Sequence, residues 1–124
     1  MSSMDCTHAG SAPSYVTCVD GVPVIAVSGR LDTISSPAFD TQIASLLADK
    51  YERVLLDMSA ATYLSSAGLR SILKIIKYAA GCGGRVGMFS IPAPILEIIE
   101  ISGFQALMDI YPDRETALRE CVAR

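Results

Sequence analysis

Residues 63–86 read YLSSAGLRSILKIIKYAAGCGGRV. The chemistry on offer is that of a hydroxyl pair, Ser65 and Ser66, with Gly68 two residues on and a long amphipathic run behind. A serine ahead of a helix can cap it, satisfying one free amide and contributing about 1 kcal/mol. One hydroxyl is enough for that. The same place suits a phosphoryl group, because a helix N-terminus offers uncommitted amides and about half a positive charge. The dipole favours a phosphate there by ~0.3–1 kcal/mol, yet the phosphate adds about −1.5 to −2 charges to the surface. Such a group can switch a partner without unfolding its owner. From residue types alone, cap and acceptor both remain open, for either serine.

Other chemistry finds little support. The single histidine, His8, stands in a small polar N-terminal stretch, so a Ser-His-Asp arrangement lacks a credible base. No G-x-S-x-G elbow is present. The run GCGG at 81–84 follows a helical pattern and precedes a strand, whereas a phosphate-cradling glycine loop must precede a helix; it reads as a helix stop. Cys82 within it reads as a small buried thiol. Asp32 and Asp57 have no companions at metal-ligand spacing and read as turn or strand-end caps. Arg70, Lys74 and Lys77 form a solvated basic row. The chain is therefore expected to be no enzyme, with no metal and no cofactor.

The elements that must position the serines alternate between strand and helix. YVTCVDG (15–21) and VPVIAVSG (22–29) flank Asp20-Gly21, a strong turn dipeptide, and predict a β-hairpin. Pro23 is tolerable only where the ladder needs no donor. In SSPAFDTQIASLLADK, Ser36 is expected as N-cap with Pro37 at the first helical position. Phe39, Ile43, Leu46 and Leu47 then share one apolar face of a helix over 37–48. ERVLLDMS (52–59) contains Val54-Leu55-Leu56, as in a strand buried on both faces, and a short loop is expected after it. Leu69, Ile72, Leu73, Ile76 and Ala80 define the buried face of a helix over 66–80. A strand over 85–91, a helix over 93–101, an edge strand over 107–111 and a helix over 113–122 complete the pattern. Ala117, Leu118, Cys121 and Val122 lie on one side of the last. The order β-β-α-β-α-β-α-β-α predicts an α/β domain with a mixed sheet of four to five strands and about four helices.

Bulk properties fit one such domain. The chain has 124 residues, 51% hydrophobic and 19% charged, and its mean hydropathy of +0.41 argues against disorder. A net charge of −3 gives no basic footprint for nucleic acid. Cys6, Cys18, Cys82 and Cys121 are scattered without a C-x-x-C pair, which suggests reduced thiols in a cytoplasmic protein. MSSMDCTHAGSAPS lacks the regions of a signal peptide, and no apolar run approaches the ~20 residues of a membrane span. Residues 1–13 are expected as a flexible arm and 14–124 as the domain.

The stretch from Val54 to Phe104, with SSAGL at 65–69, Gly-Gly before a strand and ISGF at 101–104, resembles the bacterial anti-sigma factor antagonists, which are built on the STAS domain. VSGRLD upstream resembles the family's Gly-x-Leu-Asp corner, and IYPDRETAL resembles its last strand and helix. The resemblance covers roughly 14–122. It implies a partner switch. The unphosphorylated antagonist binds an anti-sigma factor that is also a serine kinase, and so releases a sigma factor that it touches only indirectly. Serine phosphorylation ends the binding, and a metal-dependent serine phosphatase restores it. Motif matching places the phosphoacceptor at Ser66 and the partner surface at Leu31, Asp32, Ser65, Ser66, Ala67, Gly68 and Arg70. Ser65 stands where many members carry Asp, and Ala67 where they carry Ser or Thr, which makes Ser65 a rival acceptor. Two other readings are an unmodified STAS scaffold in a signalling or lipid-transport assembly and a small-ligand-binding module.

Overall fold

The computed structural model describes residues 14–48, 51 and 53–122. The arm expected over 1–13, with Cys6 and His8, lies outside them, as do the side chains of Leu47 and Val122. Five strands form one sheet in the order β1-β2-β3-β4-β5. They are β1 Ser14–Val19, β2 Val22–Leu31, β3 Arg53–Leu64, β4 Arg85–Phe89 and β5 Asp109–Tyr111. β1 runs antiparallel to β2, and the remaining neighbours are parallel. The helices are α1 Ser36–Leu47, α2 Ser66–Gly81, α3 Ala93–Ser102 and α4 Arg114–Val122.

The hairpin forms as its turn chemistry requires. Asp20 and Gly21 both take positive φ, 52° and 82°, as a two-residue primed turn demands. Pro23 faces Cys18 in the hairpin, but pairing of β2 with β3 starts only at Val24↔Leu55, so its missing donor is not required. Alternation along the strands then sorts the core onto two faces. Ile25, Val27, Val54, Leu56, Val86 and Met88 meet Phe39, Ile43 and Leu46 of α1, Ile72, Ile75 and Ala79 of α2, and Ile95 and Ile99 of α3. Val22, Val24, Leu55 and Phe89 face the other way, against Ala117 of α4.

Four sequence-based expectations need correction. β3 does not end near Asp57 but continues to Leu64. Its pairing with β2 slips between Ala26 and Ser28 and again between Gly29 and Arg30, so β3 carries extra residues there. Met58, Ala61 and Leu64 are buried with two exposed residues between each, a spacing that disguises a strand as a loop. The buried face of α2 is also rotated. Gly68, Ser71, Ile72, Ile75, Ile76 and Ala79 are buried, Leu69 and Leu73 are half-buried, and Ala80 is exposed. The N-cap position of α1 is Ser35, one residue earlier than expected. Finally, Cys82 is half-buried and Cys18 is disulfide-bonded, against the expectation of reduced thiols throughout; Cys82 and Cys121 remain thiols outside any disulfide. Among the described residues no helix is long and apolar enough to cross a membrane.

Candidate functional site

β2 and β3 stay paired to their last residues, Leu31↔Leu64, so the chain segments that leave them do so side by side. This brings Leu31-Asp32 against Ser65-Ser66. The Leu31 carbonyl accepts from the Ser65 amide at 3.1 Å and from the Ser65 hydroxyl at 3.4 Å. Ser65 is extended, with φ −92° and ψ 176°, and its hydroxyl also accepts from the Gly68 amide at 3.2 Å. It is the N-cap of α2. Both functions of the Ser65 hydroxyl, donor and acceptor, are thus committed to holding the helix on the strand end.

Ser66 differs. It is the first residue of α2 and its side chain is exposed, with no hydrogen bond among the described residues. Gly68 explains how the helix comes so close to β2. A Cβ there would collide with the Leu31 carbonyl oxygen and stand 2.8 Å from Leu64 Cδ1 and 3.1 Å from Leu31 Cγ. Only a residue without a side chain fits that contact. Ala67 is half-buried beside it, and Arg70 is exposed one turn along from Ser66.

Asp32 organises the facing turn. Its Oδ1 accepts from the amides of Ile34 at 3.0 Å and Ser35 at 3.1 Å, and its Oδ2 lies 3.3 Å from Arg30 Nε. The Ser35 amide above all, then Arg30 and the Ile34 amide, hold the Asp32 carboxyl below its ordinary value, against a desolvation that pushes the other way. The Ser35 hydroxyl, which could have capped α1, instead donates to the Arg30 carbonyl at 2.8 Å and accepts from the Asp32 amide at 3.0 Å. That diversion shifts the start of α1 by one residue and leaves Ser36 buried.

All seven residues expected on the partner surface therefore sit at or beside the carboxyl ends of β2 and β3, with Leu31 itself buried beneath the surface. Asp57 does not join them. It lies on the α4 face, accepts from the Ser59 amide and hydroxyl at 3.0 and 2.8 Å, and stands 4.0 Å from Arg114 Nη1. The basic row is not wholly solvated either, since Lys74 pairs with Asp40 of α1 at 3.0 Å. Sequence reasoning missed Arg30, Ile34 and Tyr63. The Arg30 guanidinium lies 4.3 Å over the Tyr63 ring, Tyr63 is 40% exposed and Ile34 89%. Arg30 could have been noticed beside Asp32 in the corner, but Tyr63 was hidden in a stretch that read as loop.

Residues 15–117 match the STAS domain family. An anti-sigma F factor antagonist of Paenibacillus polymyxa is 27% identical over 101 residues, 81% of this chain and 86% of that protein. The anti-sigma-F factor antagonist RsfB of Mycobacterium tuberculosis is 33% identical over 64 residues, 48% of this chain and 52% of that one. Among solved structures, an anti-sigma factor antagonist from Mycobacterium paratuberculosis superposes with a TM-score of 0.80 at 27% identity, covering 90% of this chain and 93% of that one.

Proposed function

The chain belongs to the STAS domain family, and from that premise we propose that it is an anti-sigma factor antagonist switched by phosphorylation of Ser66. The observation that carries the reading is the division of labour between the two serines. Ser65 is spent on the cap and the Leu31 carbonyl, whereas Ser66 presents a free hydroxyl at the helix start. In this reading an anti-sigma factor with serine kinase activity docks over Ser66, Ala67, Arg70 and the Asp32 corner while the hydroxyl is unmodified. Docking withdraws it from a sigma factor that the antagonist never touches. Transfer of the γ-phosphoryl of ATP to Ser66 Oγ, with ADP as leaving group and the hydroxyl proton passed to the kinase, then breaks the complex. A metal-dependent phosphatase reverses the step in the cytoplasm.

Magnitudes favour a switch that spares the fold. The helix dipole offsets a phosphate by ~0.3–1 kcal/mol, and the Ser66 side chain that would carry it is exposed. Burying an uncompensated charge in an interface costs several kcal/mol. The interface loses while the domain survives. The antagonist itself is a substrate and not a catalyst in this reading, since among the described residues no basic group hydrogen-bonds to the Ser66 hydroxyl to activate it.

The test is phosphorylation by the purified cognate kinase with ATP, followed by intact mass and calorimetry. One addition of roughly 80 Da is expected, absent in Ser66→Ala, and the phosphoprotein should bind the kinase far more weakly than either unmodified protein. Label that survives in Ser66→Ala and vanishes in Ser65→Ala would move the site by one residue. Equal affinities before and after phosphorylation would favour the constitutive scaffold. The small-ligand reading has one feature on its side, an apolar recess of about 290 Å³ between α1 and α2 beside Ile43, Ile75 and Tyr78. It falls just below the usual ~300–1,000 Å³ of ligand pockets.

A further inference from the structure

A second recess, about 210 Å³, opens between the first turns of α1 and α2, next to the proposed partner surface. Its walls carry more unspent polarity than a helix–helix seam needs. Ser36 is 5% exposed and its hydroxyl has no hydrogen-bond partner. A buried hydroxyl without a partner is costly, so its retention asks for a reason. Ser71, 2% exposed, contributes a second hydroxyl from the facing helix. Arg70 stands at the mouth and, among the described residues, takes part in none of the ion pairs. Lys74 and Asp40, also in the wall, neutralise each other at 3.0 Å.

We propose that this cleft receives one carboxylate, presented by an acidic side chain of the protein partner. The charge count selects a monoanion. Among the described residues that line the cleft, Arg70 is the one cation without an ion pair, and Asp40 would repel a second negative charge. A guanidinium fork matches a carboxylate in two parallel hydrogen bonds, Ser71 brings a hydroxyl to the wall, and the occluded Ser36 hydroxyl donates once it turns about its Cα–Cβ bond into the cleft. The volume corresponds to roughly seven waters, enough for the end of a side chain and little more. Ala67 and Arg70 belong both to the cleft and to the surface around Ser66, so a partner covering that surface reaches the mouth of the cleft without further movement. Only the source of the carboxylate rests on the reading of the protein as an antagonist; the site itself does not.

Two arms test this separately. In the first, the full chain labelled with nitrogen-15 is titrated with acetate and with N-acetyl-glutamate at constant ionic strength, against chloride as control. Saturable shifts are expected at the amides of Ser36, Ala67 and Ser71, lost in Arg70→Ala and retained in Lys77→Ala. Shifts that match those of chloride, or that persist in Arg70→Ala, overturn the site. In the second arm, binding to the anti-sigma factor should weaken about tenfold or more in Arg70→Ala and about two- to tenfold in Ser36→Ala and Ser71→Ala. Arg70→Lys should recover part of the loss, and all variants should keep wild-type unfolding midpoints or better. A complex indifferent to Arg70→Ala and Ser36→Ala overturns the partner as the source of the carboxylate. If the wild-type chain binds no anti-sigma factor, the antagonist reading falls, and the acetate titration, which needs no partner, still decides the site.

Discussion

Ser65, Ser66 and Ser36 are the same residue type under three different constraints, and their alanine variants should separate accordingly. Ser65→Ala removes the cap on Gly68 and the bond to Leu31. A loss of about 1 kcal/mol, within ~0.5–2, is expected in urea unfolding. Ser66→Ala deletes an exposed hydroxyl and should stay within about 0.5 kcal/mol of wild type. Ser36→Ala deletes a buried hydroxyl that bonds nothing, so stability should hold or rise. A Ser66→Ala variant less stable than Ser65→Ala would reverse the roles assigned to the pair. Asp32 adds a pH dependence. Its folded pKa is depressed below the ordinary value near 3.8, chiefly by the Ser35 amide. Its stabilisation is therefore fully present above that value and is lost as pH falls through the folded one. The stability gap between wild type and Asp32→Asn should shrink between about pH 5 and about pH 2; a gap that stays constant over that range would show the carboxylate's charge to be irrelevant.

At the scale of elements, the start of α2 is fixed by contact as much as by capping. Gly68→Ala replaces a poor helix former with a good one, worth up to ~1 kcal/mol in an exposed helix interior. The added methyl meets the Leu31 carbonyl and Leu64 at distances that real Cβ atoms do not adopt. Overpacking of this kind costs about 1–3 kcal/mol, so Gly68→Ala should destabilise despite its propensity. A more stable variant would mean that α2 can lift off β2 freely. On the opposite stretch of the helix, Ile75 is 1% exposed, and Ile75→Ala should cost about 2–5 kcal/mol. Leu73, only half-buried, should cost distinctly less. Chemical denaturation of the two variants side by side checks the rotation of the buried face.

For the whole molecule, the sheet is covered unequally. Among the described residues, three helices shield one face and α4 alone shields the other, where Val22, Val24, Leu55 and Phe89 gather around Ala117. Gly87 helps by leaving room on that face for Tyr111 and Leu55, each 2.8 Å from where its Cβ would stand. Removing the segment from Asp113 onward should uncover this apolar patch. The shortened protein is expected to self-associate and to bind a hydrophobic dye, as exposed apolar patches do. Light scattering coupled to size exclusion checks it, and a truncated protein that stays monomeric and dye-free would show the α4 face to be dispensable.

Local chemistry made much of this legible in the sequence. Asp20-Gly21 favours a two-residue primed turn, Val54-Leu55-Leu56 suits a strand buried on both faces, and Gly83 at φ 78° and Gly103 at φ 79° end helices where glycine is most comfortable. The serine pair before a helix was equally readable, because capping and dipole act within one turn. Three things were settled only by tertiary contact. The slips between β2 and β3 break the period of two, so the strand that delivers Ser65 to Leu31 could not be seen until both strands were paired. The face that α2 buries follows from Gly68 resting on the Leu31 carbonyl, a contact across 37 residues of sequence, and not from the hydrophobic period alone. Which of the two serine hydroxyls is spent on the helix cap, that of Ser65, likewise depends on the distant Leu31 carbonyl it engages. Sequence reports what a residue can do within a turn or two of itself; which of two adjacent, chemically identical groups is left free depends on a partner brought from far along the chain.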